Sequence, residues 1–410
     1  MDHKVLVNHQ YKIMNSLIDL YSLPLAYSGQ GIKISQYTEF ELIRYTWNRS
    51  DERVFYTKKG TAMDLSEVSN FPGLLEFYRG KIAERKYRNV RPKTSRKYIT
   101  IDHTRGSQSF AFGHFFVDII PLLAYMYTLN SLMLGGYHNL LIYSRERWQE
   151  DILDMVGIPH NSLKYLDDIK PNKMEKQVRD YRLDLALINC DIEKLRKSFA
   201  HYPLQYEKKK AGNGILFLKR DEVKHRPRRW LNIEECMVKC RLDQELLDRV
   251  EDLNPGAILP SELASKSSEY KVVVSAPGSG AYIPLHTITQ NEFMILTTGF
   301  NVHSERLWDF TLSMFNHYKE KLILVSSIDA NEPTSQGWDS GFSLEADDFS
   351  YFCKLVLEFS QKKEKEADYL YIAKATSLSN VRMTYNNLRV LIPGENELCK
   401  FLREYGFQSI

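Results

Sequence analysis

A histidine and an aspartate four residues apart stand in Gly113-His114-Phe115-Phe116-Val117-Asp118-Ile119-Ile120-Pro121, residue types that can do proton chemistry. Four residues is about one helical turn, so His114 and Asp118 share a face if the stretch is helical. A carboxylate there orients the imidazole and raises its basicity, which is one way to build a general base for a hydroxyl. The same spacing also suits a plain helix start, with His114 near the cap and Asp118 in a surface ion pair.

A second set of residues is typed for holding an anion. Val272 to Ala281 reads as a strand, a small-residue turn (Pro277-Gly278-Ser279-Gly280-Ala281) and the start of a helix. Free backbone N–H groups in such a turn, with the helix dipole behind them, face a phosphate. The turn is neither a Walker loop nor a GxGxxG fingerprint, since no Gly-Lys-Ser/Thr follows. Upstream, the strand Ile215–Leu218 ends in Lys219 and Arg220, and Arg226, Arg228 and Arg229 follow on a loop. Ligands in an open α/β sheet bind beyond the carboxyl ends of the strands. Lys219, Arg220, Arg226 and Arg229 are therefore expected to converge with Gly278, Ser279 and Gly280 on one diphosphate. Surface salt bridging is the competing reading for the arginines.

The elements that must position these groups alternate. Strands are expected at Lys97–Asp102, Leu140–Ser144, Leu183–Ile188, Ile215–Leu218, 270–276, Phe293–Leu296, Leu322–Ser326 and Tyr369–Ala373. Helices are expected at Arg147–Met155, from Ile233 with Asn232 as its cap, at Leu307–Tyr318, at Phe349–Lys363 and near Glu395–Arg403. That alternation argues for βαβ units and parallel sheets. Residues 1 to about 98 read as irregular with short mixed elements.

The totals narrow the class. A chain of 410 residues suggests two to three domains, and 43% hydrophobic with 26% charged residues supplies ordinary globular cores. A net charge of +3 gives no global nucleic-acid footprint, so no nucleic-acid partner is expected. Local basic runs at Arg79–Arg96 and Lys208–Lys210 suit solvated surface, or an anionic lipid or glycan. The five cysteines are odd in number and form no CxxC, which speaks against a disulfide scaffold or zinc site and for a reducing compartment. Met1–Leu20 does not read as a signal peptide. Ile119–Tyr137 carries no formal charge, yet Pro121, Gly135, Gly136 and three tyrosines make it a buried helix and turn rather than a membrane span.

Four motifs in order resemble glycosyltransferase family 61, whose bacterial members look like capsule and lipopolysaccharide enzymes. Gly113 to Pro121 is similar to the family's Gly-His-aromatic-x-x-Asp-x-x-Pro. Phe217-Leu218-Lys219-Arg220, followed by Arg228-Arg229-x-x-Asn232-x-Glu234-Glu235, resembles its strand-Ser-Arg…Arg-Arg…Asn-Glu-x-Glu run. Ile258–Leu263 resembles the segment that follows, and Val272–Ala281 its Val-Val-Gly-x-His-Gly-Ala-Gly turn. The resemblance covers roughly residues 100 to 330. It implies an α/β GT-B fold, two Rossmann-like domains with parallel sheets facing across a cleft. It also implies an enzyme, a metal-independent inverting glycosyltransferase moving a sugar from a nucleotide sugar to a glycan or lipid-linked acceptor.

In that reading residues 1–100 belong to the acceptor domain and 101–205 form its Rossmann-like part. Residues 206–380 bind the nucleotide sugar, and 381–410 form a C-terminal helix packing back on the N-terminal domain. His114 and Asp118 are catalytic, and Lys219, Arg220, Arg226, Arg229, Gly278, Ser279, Gly280 and Glu305 bind the donor. No metal or other cofactor is expected, and the location is cytoplasmic, peripheral at the inner face of the plasma membrane. The sequence departs from the family at Pro277, where histidine is usual, and near Pro284, where asparagine is usual. It also lacks the acid after the next strand, where Ile295-Leu296-Thr297 stands; Glu305 or Glu292 is the substitute considered. Those departures keep open a non-catalytic glycan-binding or scaffold subunit, and also a pyruvyl or phosphoglycosyl transfer.

Overall fold

The structure, a computed structural model, describes residues 33–47, 51–58, 61–62, 95–101, 112–121, 123–124, 139–142, 146–159, 163–165, 178–189, 199–200, 202–219, 230–242, 249–288, 292–307, 315, 322–332, 341–365 and 380–410. They form two compact units, Met1–Pro203 and Leu204–Ile410. Both are mixed α/β.

The first unit is built on a seven-stranded sheet in the order β3-β2-β1-β7-β4-β5-β6. Its strands are β1 (Lys33–Trp47), β2 (Asp51–Lys58), β3 (Thr61–Ala62), β4 (Ser95–Ile101), β5 (Asn139–Ile142), β6 (Leu163–Tyr165) and β7 (Val178–Asn189). β4 runs parallel to β5 and β7, and β5 to β6. β1 is antiparallel to β7 and β2. The strands β1 to β3 replace the irregular stretch expected before residue 98. Apolar and polar side chains in Lys33–Trp47 do not keep to a period of two, so the pattern that marks a half-buried strand is missing. After β5 comes helix α1 (Arg147–Val156), closed by Gly157 in the left-handed conformation (φ 73°). Only a residue without a Cβ enters that region freely.

The second unit is an open eight-stranded sheet in the order β9-β8-β10-β11-β12-β14-β13-β15. Its strands are β8 (Gly212–Leu218), β9 (Arg249–Leu253), β10 (Tyr270–Ser275), β11 (Phe293–Thr297), β12 (Leu322–Ser327), β13 (Val381–Tyr385), β14 (Leu388–Ile392) and β15 (Gln408–Ser409). The five from β9 to β12 are parallel, and the last three add on antiparallel. β10, β11 and most of β8 and β12 are buried apolar runs, as strands covered on both faces must be. The helices are α2 (Ile233–Leu242), α3 (Pro260–Ser267), α4 (Tyr282–Thr287), α5 (Ala346–Lys365) and α6 (Glu397–Glu404). α2 packs on α5, while α3 packs on α4. Right-handed crossovers require this split, because the chain moves outward from β8 to β9 and then returns past β8 to β10.

Residues 381–410 supply β13, β14, α6 and β15 to this second unit, where the expectation was a lone helix packing on the first. Leu398, Cys399, Phe401, Leu402 and Phe407 join its core, and an apolar helix face settles against the core nearest in the chain. Asn386 and Asn387 make the β13–β14 turn, Asn386 at φ 45°. Asp348, in the first turn of α5, fixes that turn. Its Oδ1 accepts from Asn386 Nδ2 at 2.9 Å, and its Oδ2 accepts from the N–H and Nδ2 of Asn387 at 3.2 and 3.0 Å.

The expected linker, His201 to Gly214, is anchored on both sides. Tyr202 is buried, stacks on Phe199 and donates its hydroxyl to Val156 O at 2.9 Å. Tyr206 donates to Thr287 O at 3.4 Å. Lys209 donates its N–H to Ser268 Oγ and pairs its ammonium with Glu269 at 2.8 Å.

Candidate functional site

Strand order reverses between β8 and β10. β8 leads outward to β9, and β10, β11 and β12 then extend the sheet the other way. A crevice opens beyond the carboxyl ends of two such strands because the crossovers leaving them run on opposite faces. Leu218 and Ser275 lie in register at these two ends. Lys219 and Ala276 therefore start the two segments that border the reversal.

The segment after β10 is shaped by its neighbours. Ser275 Oγ donates to Ala276 O at 2.8 Å, and Thr297 Oγ1 on β11 donates to Ser275 O at 3.4 Å. Pro277 is buried and Ser279 is exposed. Gly278 is extended, and the chain then winds through a 3-10 turn at Ser279–Ala281 into α4, with Ala281 N–H donating to Gly278 O at 3.1 Å. The N–H groups of Ser279 and Gly280 have no acceptor among the described residues. Gly280 is held to its type by packing, since a Cβ there would meet Pro255 Cβ and Cγ at 2.9 Å. The turn is thus clamped under the loop that follows β9.

At the segment after β8, Lys219, expected to converge on a diphosphate, is engaged by carboxylates of its own unit. Lys219 N–H donates to Leu253 O on β9 at 2.8 Å. Its ammonium lies 2.5 Å from Glu234 on α2 and 2.9 Å from Asp252 on β9. Partial burial pulls its pKa down, and the two carboxylates outweigh that and hold it above the ordinary lysine value. Lys219 leans toward the β9 side. Arg220, Arg226 and Arg229 lie outside the described residues.

His114 and Asp118 lie in the crossover that leaves β4. Phe112–His114 is helical and Phe115–Ile119 widens into a π-turn. Their side chains lie outside the described residues. The backbone holding them is firmly seated, with Phe115, Phe116, Val117, Ile119 and Ile120 buried. The rings of Phe112 and Phe115 lie 5.3 and 5.2 Å from Trp148 of α1. A π-turn inserts one residue into a helix at an energetic cost and recurs at functional sites.

Glu305 follows β11 and is 90% exposed, with Arg382 on β13 3.8 Å away. β13 stands four places from β10 in the sheet, roughly 19 Å at ~4.8 Å per strand. Its carboxylate thus points toward the antiparallel side of the sheet. Glu292 is buried and immediately precedes β11. It belongs to the amino edge of the sheet, opposite to the end where β8 and β10 open.

Sequence reading missed how the loops at the carboxyl edge are tied together. Trp230 stacks on Phe342 at 6.1 Å and meets Phe349 edge-on at 5.2 Å. Leu231 N–H donates to Phe342 O. Asn232 occupies the cap position, its carbonyl accepting from Cys236 N–H, but its amide is committed to Leu344, accepting from the N–H at 3.1 Å and donating to the carbonyl at 2.7 Å. Trp230 Nε1 donates to Asn232 Oδ1 at 3.1 Å, so the indole and the amide at the start of α2 are both engaged.

Among the described residues no group of His, Cys, Asp or Glu is placed to hold a metal. Cys236, Cys240, Cys353 and Cys399 are free and buried. Burial pushes the Cys236 thiol up to about 12 and Cys353 well above the usual thiol value, so both stay protonated. No helix among the described residues is long and apolar enough to cross a membrane. In comparisons with known proteins, no family model and no curated protein matched the chain.

Proposed function

We propose that the chain is an inverting glycosyltransferase, moving a sugar from a nucleotide-diphosphate donor to a hydroxyl of a bacterial cell-surface glycan. One observation carries the reading. The reversal point of the second sheet falls between the strand ends that lead into Lys219 and into the Gly278–Gly280 turn, both of which the resemblance to family 61 assigns to the donor. In this reading the donor belongs to the second unit and the acceptor to the first, in a GT-B arrangement with two Rossmann-like domains. The N–H groups of Ser279 and Gly280, with Arg220, Arg226 and Arg229, take the charge that grows on the diphosphate. His114, oriented by Asp118, removes the acceptor proton as the acceptor oxygen bonds to the anomeric carbon and the carbon–phosphate-oxygen bond breaks. Stabilising that departing charge is worth about 3 kcal/mol per donor group. Cytoplasmic residence and peripheral contact with the inner face of the plasma membrane belong to the same reading.

The test is a thermal-unfolding screen against nucleoside diphosphates, followed by calorimetry on the nucleotide that binds. One nucleotide should raise the unfolding temperature, and Arg220→Ala should weaken its binding about tenfold or more, the value of a charge-assisted hydrogen bond. No shift with any nucleotide rejects the reading. A second reading, a non-catalytic glycan-binding or scaffold subunit, is favoured by Pro277 at the family's histidine position and by Lys219 being already neutralised. Glycan binding without any nucleotide response selects it.

A further inference from the structure

The stretch between Tyr202 and Gly212 leads from the first unit into the second, and its main chain is almost bare of bonds. Among the described residues, residues 203–211 make no backbone–backbone hydrogen bond. Pro203, Gln205, Glu207, Lys208, Lys209 and Lys210 are exposed, and the stretch is neither helix nor strand. Its fastenings are few. Tyr206 reaches Thr287 O at the long distance of 3.4 Å. The N–H of Lys209 donates to Ser268 Oγ at 3.0 Å, and its ammonium meets Glu269 Oε1 at 2.8 Å. Lys208 and Lys210 pair with no acid among the described residues.

Exposed, irregular chain between compact units is where proteases cut. A protease holds its substrate as an added strand, through main-chain N–H and C=O groups that are not already in use. Gln205–Ala211 offers such groups, and Lys208 at its centre offers a free ammonium to a pocket that ends in a carboxylate. The neighbouring lysines are poorer. Lys209 is held by Glu269, and the bond after Lys210 lies one residue from β8, so cutting it would draw Gly212 and Asn213 out of the sheet. Glu269 is a firm partner. Arg249 and Lys266 also contact it, at 2.5 and 3.5 Å. Partial burial pushes its pKa up, and the hydrogen bonds from Lys209 and Arg249 outweigh that and hold it at about 2, so it stays charged at neutral pH.

We propose that Gln205–Ala211 is a guarded cleavage site, at which a protease with a lysine-accepting pocket hydrolyses the Lys208–Lys209 bond of the folded chain. Water adds across that bond. Its oxygen goes to the Lys208 carbonyl carbon, the C–N bond breaks, and Lys209 becomes an amino terminus. The guard is Lys209, whose N–H must leave Ser268 and whose ammonium must leave Glu269 before the residues after the cut are free. Such openings are local and need no unfolding of the core. The cut severs no strand, since β7 ends at Asn189 and β8 begins at Gly212. The site is independent of whether sugar transfer is the right chemistry.

The test is brief digestion of the full chain with a trace of trypsin, read by intact mass spectrometry. The earliest products should be residues 1–208 and 209–410. A first cut anywhere else, after Lys210 included, overturns the proposal. Simultaneous cuts across both units also overturn it, since they report unfolding of the whole chain. Lys208→Gln should remove this pair of products and leave thermal unfolding unchanged, because the side chain is exposed and unpaired; persistence of the pair sinks the assignment. Ser268→Ala takes away the acceptor of the Lys209 N–H without altering the sequence the protease reads. It should speed the cut about fivefold, the worth of one ordinary hydrogen bond when opening is fast relative to cleavage. An unchanged rate in that variant removes the guard and overturns the mechanism. None of these readouts depends on turnover.

Discussion

The two units build a parallel sheet and then reverse its growth, but at different stages. In the first, β4, β5 and β6 extend one way and β7 returns to flank β4 last. In the second, the reversal comes after a single outward step, from β8 to β9, and three more parallel strands follow it. Their antiparallel additions differ as well. The first unit appends β1 to β3 beside the returning strand, whereas the second appends β13 to β15 at the far end from its reversal. In each, the residues typed for chemistry sit in the segment leaving a strand at the reversal, β4 for His114 and Asp118, and β8 and β10 for the cations and the glycine turn. In the proposed reading the chemistry is divided too: one unit would offer a titratable pair and the other N–H groups and permanent charge. Topology makes the opening, and residue type decides its use.

The strongest way to break this division is at the titratable pair. His114→Ala should cut turnover about a hundredfold or more while leaving nucleotide affinity unchanged, as read by steady-state kinetics beside calorimetry. Unchanged turnover would remove the base from the first unit. On the other side, the antiparallel addition of the second unit hangs on one carboxylate. Asp348→Ala strands donors from Asn386 and Asn387 and should cost about 2 kcal/mol in denaturant unfolding. A change near zero would show that the β13–β14 turn holds itself.

A smaller, pH-dependent effect is expected at His303, whose Nε2 lies 3.1 Å from both Met383 O and Val390 O. Two carbonyls can only accept, so the neutral ring carries its proton on Nε2. Burial, helped by the nearby Arg389 and Arg382, depresses its pKa below the usual 6.5. The folded state therefore binds this proton less readily than the unfolded one. The stability it contributes is complete above pH 6.5 and is lost as pH falls through the folded value. His303→Gln should flatten that part of the stability–pH curve. The smallest effect is predicted for Lys219→Met, which should leave nucleotide affinity nearly unchanged and alter stability by no more than about 1 kcal/mol, because its charge is met by Glu234 and Asp252 at a solvent-facing site. A large loss of affinity would place that ammonium on the ligand after all.

The interior parallel strands of the second unit, β8, β10, β11 and β12, were legible in the sequence because each holds a short apolar run, as in Val272–Val274 and Phe293–Leu296. So were α1, with Gly157 behind it, and α5, whose Phe352, Leu355, Val356 and Phe359 recur at helical spacing. The edges were not. Arg249–Leu253 is a half-exposed edge strand whose charges guard its open side, and nothing in its pattern marks it. The β13–β14 hairpin carries a signal of its own, two asparagines between alternating segments. For the site, the glycine turn was found, yet the reason for Gly280 is Pro255 packed against it, a partner no local pattern shows. The direction in which Lys219 leans depends on Glu234 and Asp252, which arrive from two other elements. The Leu307–Tyr318 helix and the Tyr369–Ala373 strand fall largely or wholly outside the described residues.

Tyr202 is bolted by its hydroxyl to Val156 in the first unit and Tyr206 to Thr287 in the second, and the chain divides between Pro203 and Leu204. Only Pro203, Leu204 and Gln205 lie between the two fastenings, and the proline has its φ fixed near −65°. Each fastening therefore belongs to one unit alone, and three residues of main chain carry the sequence from one to the other. Replacing either tyrosine by phenylalanine would thus loosen the chain's hold on one unit and leave its hold on the other untouched.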